Sequence, residues 1–168
     1  MLAECRPAAG GAEMADHHRL RHEVFVVEQG VFSGSDLDAH DADPATIKVV
    51  GFIDGIAAGA VRLYPLDDAD GRDGLWQGDR LAVLPPYRAH ALGRPLVRFA
   101  VETASRLGGR EMLAHVQVAN VRFFERLGWS CRGGVEIYVG LPHQLMVIDL
   151  QMAGLVSPVA AGRSPARR

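Results

Sequence analysis

The stretch Asp79-Arg80-Leu81-Ala82-Val83-Leu84-Pro85-Pro86-Tyr87-Arg88-Ala89-His90-Ala91-Leu92-Gly93-Arg94-Pro95-Leu96-Val97 passes from a strand pattern to a helix pattern across a short loop. Upstream, residues 75–83 (LWQGDRLAV) read as a strand that Pro85-Pro86 stops. Downstream, residues 93–107 carry apolar side chains at helical spacing and end at Gly108-Gly109. Pro95 suits the first turn of that helix, where no backbone donor is required. A loop of this kind aims unpaired N–H groups and the positive end of the helix dipole at one point, where an anion such as a diphosphate is stabilised. Arg88 and Arg94 add charge beside it. The same residues also fit a plain strand-to-helix connection in which glycine only lets the two elements pack closely.

Outward from this stretch the chain is punctuated by Gly, Pro and Asp clusters. Residues 14–29 (MADHHRLRHEVFVVEQ) place Leu20, Val24 and Val27 at helical spacing, with Asp16 as the N-terminal cap. Residues 46–53 and 56–64 are apolar and partly β-branched, and Asp54-Gly55 between them signals a tight hairpin. On the other side, residues 111–116 read as a buried strand and 119–127 as a helix closed by Gly128. Two final strands fall near 134–139 and 144–150, and a weak first strand lies near residues 3–7. The order β, α, β, β, β, α, β, α, β, β predicts an α/β fold with a mixed sheet of six to seven strands and helices on both faces. One domain over residues 1–152 and a disordered tail over 153–168, where Pro, Gly and Arg gather without periodicity, complete the reading.

Composition narrows the partners. The chain has 168 residues, 48% hydrophobic and 23% charged, with a formal net charge of −2, which leaves no basic field to hold a nucleic acid. No apolar run approaches the roughly 18 residues needed to cross a bilayer, and the first residues lack signal-peptide order, so no membrane partner and a cytoplasmic location are expected. Cys5 and Cys131 form no framework, which fits a reducing compartment.

The segment Arg88-Ala89-His90-Ala91-Leu92-Gly93 resembles the acyl-CoA loop of the GNAT superfamily of N-acetyltransferases, whose pattern is R/Q-x-x-G-x-G/A. His115-Val-Gln-Val-Ala-Asn120-Val-Arg-Phe-Phe124-Glu-Arg-Leu-Gly128-Trp129 is similar to the family motif in which a helix ends in Tyr-x-x-x-Gly-aromatic. The opening LRHEVFVVEQ, the Asp-rich loop after it and the closing Tyr138-Val-Gly-Leu-Pro142-His143-Gln-Leu-Met146 are similar to the ElaA-like and nitrogen-starvation-associated branches. Ala91 departs from the pattern, standing where glycine is usual. If the backbone there needs positive φ, alanine is strained by about 1 kcal/mol or more, whereas a right-handed helical start tolerates it.

The resemblance implies a GNAT-like fold in which two parallel strands, here 79–84 and 111–116, splay apart around pantetheine while an amine attacks the thioester directly. Leu81, Ala82 and Val83 would lie along the cofactor, with backbone groups of Leu81 and Val83 pairing its amides. The N–H of Val83 or Leu84 would polarise the thioester carbonyl. The loop Arg88, Ala89, His90, Ala91, Leu92, Gly93 and Arg94 would hold the diphosphate. Asn120 matches the family asparagine that contacts pantetheine, and equally fits an N-terminal helix cap. The family's general acid, a tyrosine, falls on Phe124, which has no proton to donate; Tyr138 or Tyr87 would have to substitute.

An acceptor amine protonated near pH 7 needs a base, and Glu28, His143 and Asp79 are the candidates. An unperturbed imidazole titrates near the working range, yet each of the three also fits a structural role. The acidic loop Ser35-Asp36-Leu-Asp38-Ala-His40-Asp41-Ala-Asp43-Pro44 lacks the glycine and glutamate of a calcium loop, so no metal is expected. It reads as a solvated loop or as a negative rim attracting a cationic amine.

The expectation is therefore an N-acetyltransferase using acetyl-CoA as co-substrate on a small amine or amino-acid-like metabolite, with a homodimer left open. The alternatives are an acyl-homoserine-lactone-synthase-like acyltransferase and a non-catalytic CoA-binding or partner module.

Overall fold

The computed structural model describes residues 2–66 and 73–153. Seven strands form one sheet in the order β1-β2-β3-β4-β5-β7-β6: β1 (Ala3–Pro7), β2 (Ile47–Ile53), β3 (Ile56–Pro65), β4 (Leu75–Val83), β5 (Glu111–Gln117), β6 (Ser130–Tyr138) and β7 (Leu141–Asp149). Neighbours run antiparallel except β4 and β5, which are parallel. The weak first strand is thus real, pairing Ala3–Pro7 with β2. Asp54 (φ 49°) and Gly55 (φ 80°) are both left-handed, the geometry that matches strand twist in a two-residue hairpin.

The helix α1 (Gly10–Arg21) covers one face of the sheet and α2 (Gly93–Arg106) the other. On the α1 side Leu20 packs with Val50, Phe52 and Ala60, while Val24 and Phe25 pack on Ala82. On the α2 side Leu92, Leu96, Val97, Ala100 and Ala104 close the main core against the sheet. Close approach of α2 is set by Gly59, where a Cβ would stand 2.8 Å from Leu96 Cδ1 and 3.0 Å from Leu92 Cδ2.

Three local expectations change. The first helix begins at Gly10 with Ala9 as its cap position, so Asp16 lies inside it and pairs with Arg19 at 3.2 Å. Beyond Arg21 it continues as a π-helical segment, His22–Glu28, with Gln29 N–H donating to Val24 O at 2.9 Å. The 119–127 helix divides into a 3-10 turn (Val118–Asn120) and α3 (Val121–Arg126). The last two strands each start earlier, since β6 pairs through Ser130 and Cys131 before an irregular stretch around its glycines. A short α4 (Leu150–Ala153) ends the described chain; the expected tail from residue 154 on lies outside the described residues. Among the described residues no helix is long and apolar enough to cross a membrane.

Candidate active site

The parallel pairing of β4 with β5 covers only Leu75, Trp76 and Gln77 against Glu111, Met112 and Leu113. Just beyond it β4 carries a bulge. Ala60 and Arg62 of β3 face Ala82 and Asp79, so three steps on β4 span two on β3, and Arg80 takes φ 52°. A bulge bends its strand, and here β4 leaves β5. The gap opens into a cavity of about 270 Å³ lined on its β4 side by Gln77 through Leu81. Leu84 N–H donates to Ala58 O at 2.9 Å. By the alternation of an antiparallel ladder, Ala82 also faces β3, and the polar groups of Leu81 and Val83 face the gap. Of the backbone donors and strand residues expected along the cofactor, Leu84 N–H and the backbone of Ala82 are therefore already engaged by β3.

After β4 the chain makes a 3-10 turn (Pro85–His90), and Ala91 follows at φ 56°, ψ 31°. Of the two outcomes foreseen for Ala91, the left-handed one is realised. The α2 cap position, Leu92, has no side-chain cap, and the first bond into the helix is Leu96 N–H to Leu92 O. The leading N–H groups of α2 at Gly93 and Arg94 thus keep their donors for an anion. Leu92 itself is fully buried, while Arg88, Ala89, Ala91 and Arg94 are exposed. Arg88 Nε donates to Val83 O at 3.1 Å, and its two Nη atoms grip Glu28 at 2.6 and 2.5 Å.

Glu28 is therefore no free base. The Arg88 hydrogen bonds hold its carboxyl below the usual carboxylate range. Asp79 is likewise committed, taking Arg62 Nε at 2.8 Å, Arg62 Nη2 at 2.7 Å and the Tyr64 hydroxyl at 3.2 Å. His143 differs. Its Nδ1 lies 2.9 Å from Leu141 O, an atom that can only accept, so Nδ1 carries a hydrogen, and in the neutral ring Nε2 is the nitrogen with the lone pair. His143 lines the cavity together with Tyr138, the two rings meeting edge to face at 5.3 Å. His115, which sequence reasoning did not single out, stacks on Tyr138 at 6.1 Å and lines the same cavity. Strand alternation placed His115 opposite to the buried Ala114 and Val116, and that was the available signal. Asn120 also lines the cavity, and its side chain makes no cap bond to α3, so the capping role falls away. Phe124 is 8% exposed, edge to face with Trp129 at 5.4 Å, and forms cavity wall.

The acidic loop is largely exposed and capped by Asp38, as a solvated loop would be, but its carboxylates are turned onto buried arginines and form no open negative rim. Arg21 and Arg62, both fully buried, and Arg80 are met by Asp36, Asp38, Asp41 and Asp79. Arg21 binds Asp36 at 2.8 Å and Asp41 at 2.6 Å; Arg62 bridges Asp38 at 2.7 Å to Asp79. Burial works against the charge on Asp41. Hydrogen bonds from Arg21 and the Asp38 N–H outweigh it and hold the carboxyl well below the usual range. His17, fully buried, donates from Nδ1 to Val49 O and accepts Arg21 Nη1 on Nε2 at 3.2 Å; burial pushes its pKa down to about 3. The network fixes the floor of the bulge, since Arg80, stacked 4.4 Å from the Phe32 ring centre, lines the cavity. A charged residue inside an otherwise apolar strand, Arg62 in IAAGAVRLY, was the sequence signal for it.

Comparison with known proteins bears on this geometry. A family model described as the acetyltransferase (GNAT) family matches residues 13–129. The uncharacterized N-acetyltransferase YjcF of Bacillus subtilis (strain 168) is 25% identical over 138 residues, 82% of this chain and 93% of that protein. The crystal structure of Escherichia coli ElaA superposes with a TM-score of 0.74 at 20% identity, over 87% of this chain and 99% of that one. The CoA-dependent acyl-homoserine lactone synthase BjaI, solved with SAM and isopentyl-CoA, gives 0.70 at 18% identity, over 92% of this chain and 86% of that one. At those identities the two structures speak for the fold, a mixed α/β sheet with helices on both faces. The family model spans most of the chain, and the chain belongs to the acetyltransferase (GNAT) family.

Proposed function

We propose that the protein is an acyl-CoA-dependent N-acyltransferase, with acetyl-CoA the simplest donor and a small amine or amino-acid-like metabolite the acceptor. The observation that carries the reading is the early end of β4–β5 pairing, which leaves the polar groups of Leu81 and the N–H of Val83 on an edge that β5 does not cover, with Leu81 lining the cavity. The diphosphate sits at the start of α2, where Gly93 and Arg94 offer N–H groups and Arg88 and Arg94 offer charge. Ala89, His90, Ala91 and Leu92 shape that turn. An arm leaving the loop meets Val83 before Leu81, so Val83 pairs with a pantetheine amide and Leu81 N–H stands beside the thioester carbonyl. A preorganised donor there stabilises the developing oxyanion by a few kcal/mol. Asn120 and Phe124 flank the arm. The opening and closing segments support a place beside the ElaA-like and nitrogen-starvation-associated branches, and a cytoplasmic acyl-CoA pool is the setting the reading implies.

In the reaction the amine nitrogen attacks the thioester carbon, and its proton passes to His143 Nε2, which the Leu141 carbonyl holds in the required tautomer. The C–S bond then breaks, and the departing thiolate takes a proton from Tyr138. Groups so placed typically contribute about 10²- to 10⁴-fold each. Glu28 acts on Arg88 and not on the substrate.

The buried, hydroxyl-free Phe124 favours a second reading, a CoA-binding module without turnover. Thiol release from acyl-CoA, followed over a panel of small amines, decides between them. Turnover that His143→Gln lowers by about 10²-fold or more supports catalysis. Heat protection by CoA with no turnover on any amine supports the module, and neither effect removes the assignment.

A further inference from the structure

Three arginines meet the acidic loop and the bulge, and two of them are saturated. Arg21 and Arg62 each donate from Nε and from both Nη atoms, to Asp36, Asp38, Asp41 and Asp79. Arg80 does not. Among the described residues only its Nη2 donates, to Asp36 O at 3.0 Å and, at a long 3.4 Å, to Asp38 Oδ2. Its Nε is buried without a hydrogen bond, 3.3 Å from an Asp36 carboxylate that Arg21 already holds. The Arg80 side chain is only 7% exposed, so bulk water reaches little of it. A buried cation short of acceptors is costly, and the shortfall calls for a further partner.

Of the three, only Arg80 lines the cavity, and so does Phe32, whose ring centre lies 4.4 Å from its guanidinium carbon. A guanidinium laid on an aromatic face keeps its N–H groups in the plane, directed sideways at an oxygen acceptor, and Nη1 is the nitrogen that remains for one. Arg80 reaches this place from a left-handed backbone, φ 52°, a conformation costly for any residue but glycine and recurrent at ligand clamps. Charge around it is balanced: Arg21, Arg62, Arg80 and Lys48, the last on the Asp41 carbonyl at 2.6 Å, match the four aspartates. That balance admits one more negative charge when a positive one arrives with it, as in a zwitterion, and disfavours a dianion. We propose that Arg80 anchors the carboxylate of the acceptor, which is therefore an amino acid and not a simple amine. The assignment rests on the acyltransferase reading and names the acceptor class within it. Held by its carboxylate, the acceptor keeps its amino group for His143, which lines the same cavity.

Acyl transfer from acetyl-CoA by the full chain to a set of amino acids, each beside its carboxamide and its decarboxylated amine, tests it, with calorimetric titration by CoA alongside. The acids are expected to exceed their amides and amines by about 10- to 10²-fold in kcat/KM, as a charge-assisted hydrogen bond in a buried site supplies. Arg80→Gln is expected to bring that ratio close to one, chiefly by raising KM for the acids, with CoA affinity unchanged. Arg80→Lys keeps a charge facing Asp36 and Asp38, and so the fold, but loses the planar donor edge; it is expected to lower the ratio by about fivefold or more. Each ratio is taken within one variant, so a fraction of unfolded chain does not alter it. Amides or amines serving the wild type as well as the acids, an equal fall for all three classes in both variants, or CoA binding without turnover of any acid would overturn the anchor and leave the cofactor site standing. No binding of CoA would overturn the acyl-CoA reading as well.

Discussion

Ala91 sits in the left-handed region at φ 56°, where a Cβ crowds the following carbonyl, and it does so in the turn that leads into α2. Ala91→Gly removes that crowding but frees the unfolded chain, so the net stabilisation is about 1 kcal/mol or less, read as a rise in Tm. At the same loop Arg88 is divided between Glu28 and Val83 O; a diphosphate would replace Glu28 as its acceptor, and a pantetheine amide N–H would replace Arg88 as the donor to Val83 O. Glu28 thus competes with the cofactor for one guanidinium. An exposed pair of this kind is worth under about 1 kcal/mol, so Glu28→Gln is expected to tighten CoA binding by up to about fivefold without lowering turnover. A loss of turnover by 10²-fold or more in that variant, at saturating CoA, would restore Glu28 as the base.

Among the elements, β4 decides the site, and its bulge depends on charges drawn from three other parts of the chain. Arg62 on β3 is wholly buried and holds Asp79 of β4 and Asp38 of the acidic loop at once. Arg62→Met leaves Asp79, largely buried, without its cation and Asp38 with Arg80 alone, and a cost of about 3 kcal/mol is expected from chemical denaturation. A loss below about 1 kcal/mol would mean that the network is solvated and does not fix the bulge. Asp54-Gly55, Pro85-Pro86 and Gly108-Gly109 made the strand and helix ends legible, because turn chemistry is local. The arginine network was not legible, because its partners stand 15 to 44 residues apart and an aspartate-rich loop reads as solvated when seen alone. The π-helical winding at His22–Glu28 left no mark on the apolar spacing. Glu28, read as either a base or a helix-end hydrogen-bond partner, has its actual partner, Arg88, 60 residues away, beyond any local pattern. The open edge of β4 followed from family likeness, but the depth of the cavity needed the packing of α2, which no local pattern encodes.

At the scale of the molecule the buried charges couple folding to pH. His17 binds a proton in the unfolded chain near its ordinary value of 6.5 but only near 3 when folded, since burial opposes the imidazolium. A depressed folded value means that stability is complete above about pH 6.5 and declines as pH falls toward 3, by up to about 1.4 kcal/mol per pH unit for this group. His18, also pushed down by burial, acts in the same direction. Asp38 and Asp41, held low by the arginines, add their loss only below the ordinary carboxylate range near 3.8. Urea unfolding between pH 7 and 4 is expected to show this decline, and His17→Gln to flatten it above pH 4. A stability independent of pH over that interval would contradict the buried, neutral histidine.

The claim under all of this is that the open edge of β4 and the start of α2 hold an acyl-CoA between them. Residue-resolved amide hydrogen exchange of the full chain with and without CoA measures it most directly. Slowed exchange at Leu81, Val83, Gly93 and Arg94 is the predicted result, with Ala82 and Leu84, already paired to β3, little changed. Unchanged exchange at those four amides under saturating CoA would contradict the account.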